Sequence, residues 1–217
     1  MLRANQLIGS LGQETERWEA SQAGFTDNLH NVVGNILLSS AAIAYLGPLP
    51  QNYRNDLVRK WHAAIVSKNL PIIEHFSLKQ ILSNTQQVQE WQNCNLPSDE
   101  LSTDNAIIMK SSRKECLLID PDSQALNWLK AFYASLNIKI LLQNDPRFLQ
   151  TLEACLNYGE PVIINKFKDN FDPQIEALIR RAKYRRGSLY IQGQHNFIKL
   201  GETEVLYHHD FKIFVRT

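Results

Sequence analysis

The stretch CLLIDPDSQALNWLKAFY, residues 116–133, decides the fold. Its first four residues, from Cys116 to Ile119, form a short apolar run, which predicts a buried strand. The pattern that follows, from Gln124 to Tyr133, is helical and places Ala125, Leu126 and Leu129 on one face. A strand that leads at once into an amphipathic helix is the beginning of a βαβ unit. This stretch therefore predicts a parallel sheet covered by helices.

The same alternation continues toward the end of the chain. We predict further helices at Phe148 to Asn157 and at Gln174 to Lys183. Apolar runs predict the remaining strands, which are Ala106 to Met109, Ile138 to Leu142, Val162 to Ile164, Ser188 to Gln192, Phe197 to Leu200 and Phe211 to Val215. The predicted fold class is therefore α/β with a parallel sheet.

An apolar stripe runs along one side of a long predicted helix near the N-terminus. The stripe consists of Leu7, Leu11, Trp18, Phe25, Leu29, Val32 and Ile36. These spacings of three, four and seven residues are typical of a coiled coil. From Val32 to Leu46 the helix becomes uniformly apolar and small, as expected where it joins a packed body, and Gly47 and Pro48 end it.

Shorter helices follow the long one, at Tyr53 to Ser67, Leu78 to Leu82 and Thr85 to Gln92. The composition changes near Pro97, where strand-like runs begin. We therefore predict a coiled-coil helix over residues 1–46, a helical connector over 47–95 and an α/β domain over 96–217.

The composition excludes several classes of function. A formal net charge of +1 gives no field that would favour nucleic acid or a membrane surface. The three cysteines lie far apart, so the sequence predicts neither a disulfide framework nor a cysteine metal site, and it favours a reducing compartment. The longest apolar stretch, Ile36 to Leu46, is too short to span a bilayer.

The loop after the first predicted strand is where a phosphate-binding protein would carry a glycine-rich motif with a lysine. Here the loop consists of Asp120, Pro121, Asp122, Ser123 and Gln124. It lacks glycine and lysine, its proline has no amide hydrogen, and its two carboxylates would repel a triphosphate. We expect the side chain of Asp122 or Ser123 to cap the helix that follows.

A catalytic NTPase also needs acidic residues at the end of its third core strand, to hold magnesium and to polarise water. In this chain that strand runs into Asn165 and Lys166, which can do neither. The sequence therefore predicts a degenerate nucleotide site without catalytic residues, without a bound cofactor and without a metal.

Several strings of residues, in order along the chain, resemble dynein heavy chains. They are Arg3 to Ile8, Glu16 to Trp18, Ala41 to Pro48, Leu96 to Asp99, Leu101 to Ile107, Leu118 to Ala125, Trp128 to Lys130 and Tyr158 to Val162. The chain is similar to the segment that runs from the base of the microtubule-binding stalk into the fifth AAA+ module, and the helix at Trp128 is more similar to axonemal heavy chains than to cytoplasmic ones.

This resemblance implies an AAA+ large subdomain, with P-loop-like topology, that binds no nucleotide. ATP and magnesium would belong to other modules of the parent chain, and the rest of the sheet, the lid and the buttress would lie beyond Thr217. The implied partners are the stalk's other helix, the linker and neighbouring modules, with microtubules reached indirectly. The implied location is the cytoplasmic cytoskeleton, in a cilium or flagellum.

Two alternatives remain open from the sequence. The chain could be an independent nucleotide-binding enzyme of AAA+ type. It could also be a dynein-derived adaptor that binds a partner through the helix from Leu7 to Leu29.

Three residue groups receive structural interpretations. The basic residues from Arg180 to Arg186 are assigned to a helix end before Gly187. His208, His209 and Asp210, with His195, are expected to hold no metal, because adjacent strand residues point to opposite faces. Cys116 is expected to be buried in its strand and unreactive.

Overall fold

A computed structural model of the protein describes residues 14, 15, 18, 29–165, 173–180, 182–186 and 195–217. The chain divides into two units, Met1–Ser83 and Asn84–Thr217. The three predicted domains, with boundaries after residues 46 and 95, stay predictions. Within the second unit, Trp91 packs edge to face against Trp128, with their ring centres 6.1 Å apart.

The first unit is helical. Residues 29–45 form α1, and Gln51–Ser67 and Leu78–Leu82 form α2 and α3. Leu38, Ala42 and Leu46 are buried, which confirms the prediction that this part of the long helix joins a packed body. Of the predicted stripe, Leu29, Val32 and Ile36 are exposed, and its earlier members other than Trp18 lie outside the described residues.

The segment at Pro71–Ile73 lies against α1 and α2. The Ile73 amide donates to Asn35 Oδ1 on α1 at 3.2 Å, and its carbonyl oxygen lies 2.7 Å from His62 Nε2 on α2. Gly34 permits this approach. A Cβ atom at Gly34 would overlap the Pro71 carbonyl oxygen and would lie 2.8 Å from Ile72 Cβ. This close packing explains why a residue that weakens helices stands inside α1.

The second unit alternates helices and strands. Its elements are α4 (Thr85–Asn93), α5 (Glu100–Ser111), β1 (Cys116–Leu118), α6 (Gln124–Phe132), a 3₁₀ turn (Ala134–Leu136), β2 (Lys139–Leu142), α7 (Phe148–Tyr158), β3 (Val162–Asn165), α8 (Pro173–Ile179), β4 (Tyr184–Arg186), β5 (His195–Leu200), β6 (Thr203–Leu206) and β7 (Ile213–Arg216).

The parallel sheet has the strand order β1-β7-β3-β2, which confirms the predicted fold class. One face packs against α7, α8 and the strands β5 and β6, through a core that includes Leu152, Val162 and Ile164. On the other face, Phe214 packs against Tyr133 at the end of α6, with ring centres 5.6 Å apart. A smaller antiparallel sheet has the order β4-β5-β6.

The predicted strand from Ala106 to Met109 is wrong, because these residues belong to α5. The Asp99 side chain caps this helix by accepting a hydrogen bond of 2.8 Å from the Ser102 amide. Ala106 and Ile107 then fill its buried side. A short apolar run fits a buried helix face as well as a strand, and periodicity alone does not separate the two.

The predicted helix from Gln174 to Lys183 is too long. Helix α8 ends at Ile179, and the chain forms β4 from Tyr184 to Arg186. Neither β4 nor β6 was predicted. The predicted strand from Ser188 to Gln192 lies outside the described residues.

We expect Gly34→Ala to destabilise the first unit by about 1–3 kcal/mol, the usual cost of overpacking. The added methyl group would meet the backbone of Pro71, and backbone does not move aside easily. Hydrogen exchange of the amides of the first unit at increasing urea concentration measures the effect. Gly47→Ala is the matched control, since no atom lies within 4 Å of its Cβ position. Equal stability of the two variants would contradict the close packing at Gly34.

Candidate functional site at the carboxyl edge of the parallel sheet

Three neighbouring strands of the parallel sheet end at one place, and a polar side chain stands at each end. Asp120 follows β1, Arg216 ends β7 and Asn165 ends β3. Asp120 and Arg216 are both buried. The carboxyl ends of parallel strands line one edge of the sheet, which is the edge where ligands bind in open α/β folds.

The guanidinium group of Arg216 is the centre of this site. Its Nε donates to Asp120 Oδ2 at 2.9 Å, and its Nη1 donates to Asn165 Oδ1 at 2.8 Å. Its Nη2 donates to the backbone oxygen of Asp120 and to Ser123 Oγ, the latter at 2.7 Å. One buried side chain thus joins the ends of three adjacent strands to the loop before α6.

The Asp120 carboxylate also binds the N-terminus of α6. Its Oδ1 accepts from the Ala125 amide at 3.2 Å, and its Oδ2 accepts from the Leu126 amide at 3.0 Å. The amides at a helix N-terminus attract anions, since they lack partners within the helix and lie at the positive end of its dipole. Here they bind a carboxylate of the same chain.

The arrangement resembles a phosphate site whose parts bind one another. In a P-loop protein, helix amides and a lysine surround phosphate oxygens. In this chain, the amides of Ala125 and Leu126 surround the Asp120 carboxylate, and Arg216 supplies the positive charge. A nucleotide at this position would have to displace an ion pair that is already buried and hydrogen-bonded.

The side chain that caps α6 is not one of the two that were predicted. Asp122 or Ser123 was expected to cap α6, but Ser123 makes no such bond and Asp120 supplies the cap. Ser123 has a left-handed backbone with φ of 59°, and its amide donates to the Asp120 carbonyl oxygen at 3.3 Å. This turn brings Ser123 Oγ to Arg216.

The remaining predicted residues of the site have different positions. Pro121 and Asp122 are exposed in the turn, and Gln124 is the first residue of α6. Asn165 lies in the site as an acceptor for Arg216. Lys166 lies outside the described residues.

Sequence reasoning missed Arg216. One signal could have found it: an apolar strand, Ile213 to Val215, runs directly into an arginine, and a charge that ends a buried strand needs a partner. Asp120 follows another apolar run, Cys116 to Ile119. The two residues are far apart in sequence, so their contact depends on the strand order, which places β1 beside β7.

Comparison with known proteins identifies the family. Residues 89–217 match the family model described as the ATP-binding dynein motor region, and residues 1–65 match that of the microtubule-binding stalk of dynein motor. The chain belongs to the dynein motor family. The first match covers the second unit from within α4 onward, including the whole site at Asp120 and Arg216.

Dynein heavy chains match along the full length of this chain. Human dynein axonemal heavy chain 6 is 31% identical over 217 residues, which are 100% of this chain and 5% of that protein. Human dynein axonemal heavy chain 3 is 32% identical with the same coverage. The dynein-1-beta heavy chain of the flagellar inner arm I1 complex of Chlamydomonas reinhardtii is 31% identical over 99% of this chain. The chain thus spans about 5% of the length of these relatives.

The predicted helix end holds for Arg180 but not for Lys183, Arg185 and Arg186. Arg180 directly follows α8 and forms an ion pair of 2.6 Å with Glu176, whereas Arg181 lies outside the described residues. Lys183 lies just before β4, and its ammonium group is 3.5 Å from the centre of the Tyr207 ring. The chain leaves the helix early, so the basic residues reach a strand instead.

The argument against a metal at His208 and His209 is also wrong. Strand β6 ends at Leu206, and both histidines lie beyond it. Their rings are 4.5 Å apart between centres, so they lie side by side rather than on opposite faces. The side chain of His195 lies outside the described residues.

Cys116 is partly exposed, although it was expected to be buried. It lies in β1, the edge strand of the parallel sheet, which has a partner on one side only among the described residues. Cys155, on α7, is buried. Burial, with the nearby charge of Glu160, raises the pKa of the Cys155 thiol to about 11.

Among the described residues, no helix combines the length and the apolar character needed to cross a bilayer.

A double-mutant cycle tests the ion pair. Arg216→Met should destabilise the second unit by about 3–5 kcal/mol, because it leaves the Asp120 charge buried without its partner. Asp120→Asn alone should also destabilise. The double variant should be more stable than the sum of the two effects predicts, by about 1–3 kcal/mol. Urea unfolding measures all three.

The control for this cycle is Arg59→Ala, which removes an exposed ion pair with Asp56. Such a pair contributes little, so no measurable change is expected. Strict additivity of the two site variants would show that Asp120 and Arg216 do not depend on each other.

Thiol labelling tests the environment of Cys155. At pH 8 a thiol with a pKa of about 11 is a thiolate in only about one molecule in a thousand, so iodoacetamide should modify Cys94 and Cys116 first. The rate at Cys155 should rise as the pH approaches 11. Mass spectrometry of digested protein gives each rate. Equal rates at all three cysteines at pH 8 would contradict the burial of Cys155.

Proposed function

We propose that this chain is a non-catalytic segment of a dynein heavy chain motor, which couples the AAA+ ring to the microtubule-binding stalk during ATP-driven movement. Two matches support this proposal, since one region resembles the stalk and the other resembles the motor region. A segment that contains parts of both is placed to transmit force between them.

The single observation that carries the non-catalytic assignment is the ion pair of Asp120 and Arg216. The helix amides and the positive charge that a phosphate would need are used by these two residues. Binding of a nucleotide would require Asp120 to leave the α6 N-terminus and Arg216 to lose a buried carboxylate. The energetic cost of leaving one buried charge without its partner is about 3–5 kcal/mol.

The end of β3 gives a second reason. Phosphoryl transfer needs a carboxylate there to hold magnesium, and this chain has Asn165. Its amide oxygen accepts a hydrogen bond from Arg216 at 2.8 Å. A neutral amide next to a guanidinium group is a poor ligand for a divalent cation, because the nearby positive charge repels the ion.

A closed site fits a mechanical role. The Arg216 network joins the carboxyl ends of β1, β3 and β7, and it does not depend on any ligand. The second unit would therefore keep one conformation through the ATP cycles of other modules. A rigid body transmits displacement, whereas a body that opened with each nucleotide would absorb part of it.

The proposed partners follow from the family. They are the remainder of the heavy chain, which includes the stalk's partner helix, the linker and neighbouring AAA+ modules, and microtubules reached through the stalk. ATP and magnesium would bind other modules. Relatives named as axonemal and flagellar dyneins support a location in the cytoskeleton of a cilium or flagellum.

A thermal-shift titration with MgATP and MgADP tests the proposal. Any ligand that binds the native state raises its stability, by about 2.7 kcal/mol at a hundred times the dissociation constant. We expect no saturable shift for the unaltered chain. The control is a titration with magnesium chloride at equal ionic strength, which removes the contribution of screening.

Arg59→Ala and Arg216→Met serve as further controls in this titration. The Arg59 variant removes one positive charge from the surface and should behave like the unaltered chain. The Arg216 variant opens the site but also removes its positive charge, so it too should show no saturable shift. Saturable stabilisation of the unaltered chain by MgATP would overturn the proposal and favour a nucleotide-binding module.

A further inference from the structure

The turn after β6 has both of its ends in the core. Tyr207 and Phe211 are buried and pack edge to face, with ring centres 5.5 Å apart. The Tyr207 amide also donates to the Asn196 carbonyl oxygen at 2.8 Å. The three residues between them, His208 to Asp210, are therefore held on a short loop with fixed ends.

Hydrogen bonds fix the backbone of this turn further. The His208 amide donates to the Leu156 carbonyl oxygen on α7 at 3.0 Å, and the Phe211 amide donates to the His208 carbonyl oxygen at 3.2 Å. The His208 ring occupies the space next to Gly159, where a Cβ atom would overlap its Nδ1 and would lie 2.9 Å from its Cγ. Gly159 has φ of 76°, a conformation that glycine adopts at low cost, so the end of α7 determines where this ring lies.

The side chains of the turn bring three potential ligand atoms together. Asp210 Oδ2 lies 3.0 Å from His209 Nε2 and 3.7 Å from His208 Nδ1. One ligand atom from each residue lies within 4.8 Å of the other two. Two ligands at about 2.05 Å from a tetrahedral zinc ion are about 3.3 Å apart. The two distances from Asp210 lie on either side of that value.

We propose that His208, His209 and Asp210 bind one divalent transition-metal ion, of the class of Zn²⁺ or Ni²⁺. Imidazole nitrogens favour these ions over Mg²⁺ and Ca²⁺, which prefer oxygen ligands. The side chains of His208, His209 and Asp210 are 34%, 80% and 63% exposed, so water can complete the coordination. To bind, the His208 ring gives up a weak hydrogen bond of 3.3 Å from the Asp210 amide.

Nearby lysines lower the affinity of the site for a metal ion through their positive charge, but their ammonium groups do not occupy the site. Lys183, Lys212 and His209 line one cavity of about 280 Å³. The Lys183 ammonium group lies on the Tyr207 ring, and Lys212 Nζ donates to the Tyr133 hydroxyl at 3.3 Å. Both ammonium groups thus contact aromatic residues, and Asp210 supplies the negative charge at the site itself.

Calorimetric titration of the untagged chain with NiCl₂ tests the proposal. One ion should bind per chain, and His209→Ala should weaken binding by about tenfold or more, because a ligand is lost. His209 is 80% exposed, so this variant should remain folded. Asp210→Asn should also weaken binding, since the amide lacks the negative charge.

The matched control is His75→Ala, which removes an exposed histidine of the first unit and should leave the affinity unchanged. The titration is repeated with Cys94 and Cys116 changed to serine, so that thiolates contribute nothing. The proposal is overturned if the unaltered chain binds no ion, if His209→Ala binds as tightly, or if His75→Ala weakens binding equally. None of these outcomes bears on nucleotide binding at Asp120.

Discussion

The ion pair between Asp120 and Arg216 is the interaction on which the second unit depends. It joins the end of β1 to the end of β7 at the carboxyl edge of the sheet, and both residues are buried. A buried ion pair adds little net stability compared with well-packed apolar groups, but it tolerates no arrangement in which one charge lacks its partner. The pair therefore favours one strand register and one conformation of the loop before α6. Asn165 and Ser123 extend that constraint to β3 and to the turn.

The same pair gives a fold of the nucleotide-binding type an internal partner for its first helix N-terminus. The N-terminus of α6 attracts an anion whatever the sequence around it, because its amides have no helical partners. In this dynein segment the anion is covalently part of the chain, so it binds without a loss of translational freedom. Arg216, which carries the opposite charge, is part of the same chain. In the proposed function, the Asp120 carboxylate takes the position of a phosphate and Arg216 supplies its countercharge.

Each unit also contains a close contact that a glycine permits. In the first unit, Gly34 lets the segment at Pro71 lie directly on α1, and Asn35 and His62 then bind the polar groups of Ile73. In the second unit, the absence of a side chain at Gly159 leaves room for the His208 ring. Each contact links residues distant in sequence, and each depends on the absence of a single methyl group.

The sequence by itself determined the elements that have a local cause. The apolar face of α6 begins directly after a turn that contains Pro121, and Gly159 directly follows α7, so both helices could be predicted closely. Buried strands such as β3 were also clear from their apolar runs. Local pattern failed where one composition suits two structures, as at Ala106 to Met109. The pairing of Asp120 with Arg216 was decided only by tertiary structure, because the strand order places β7 beside β1, and no local pattern contains that order.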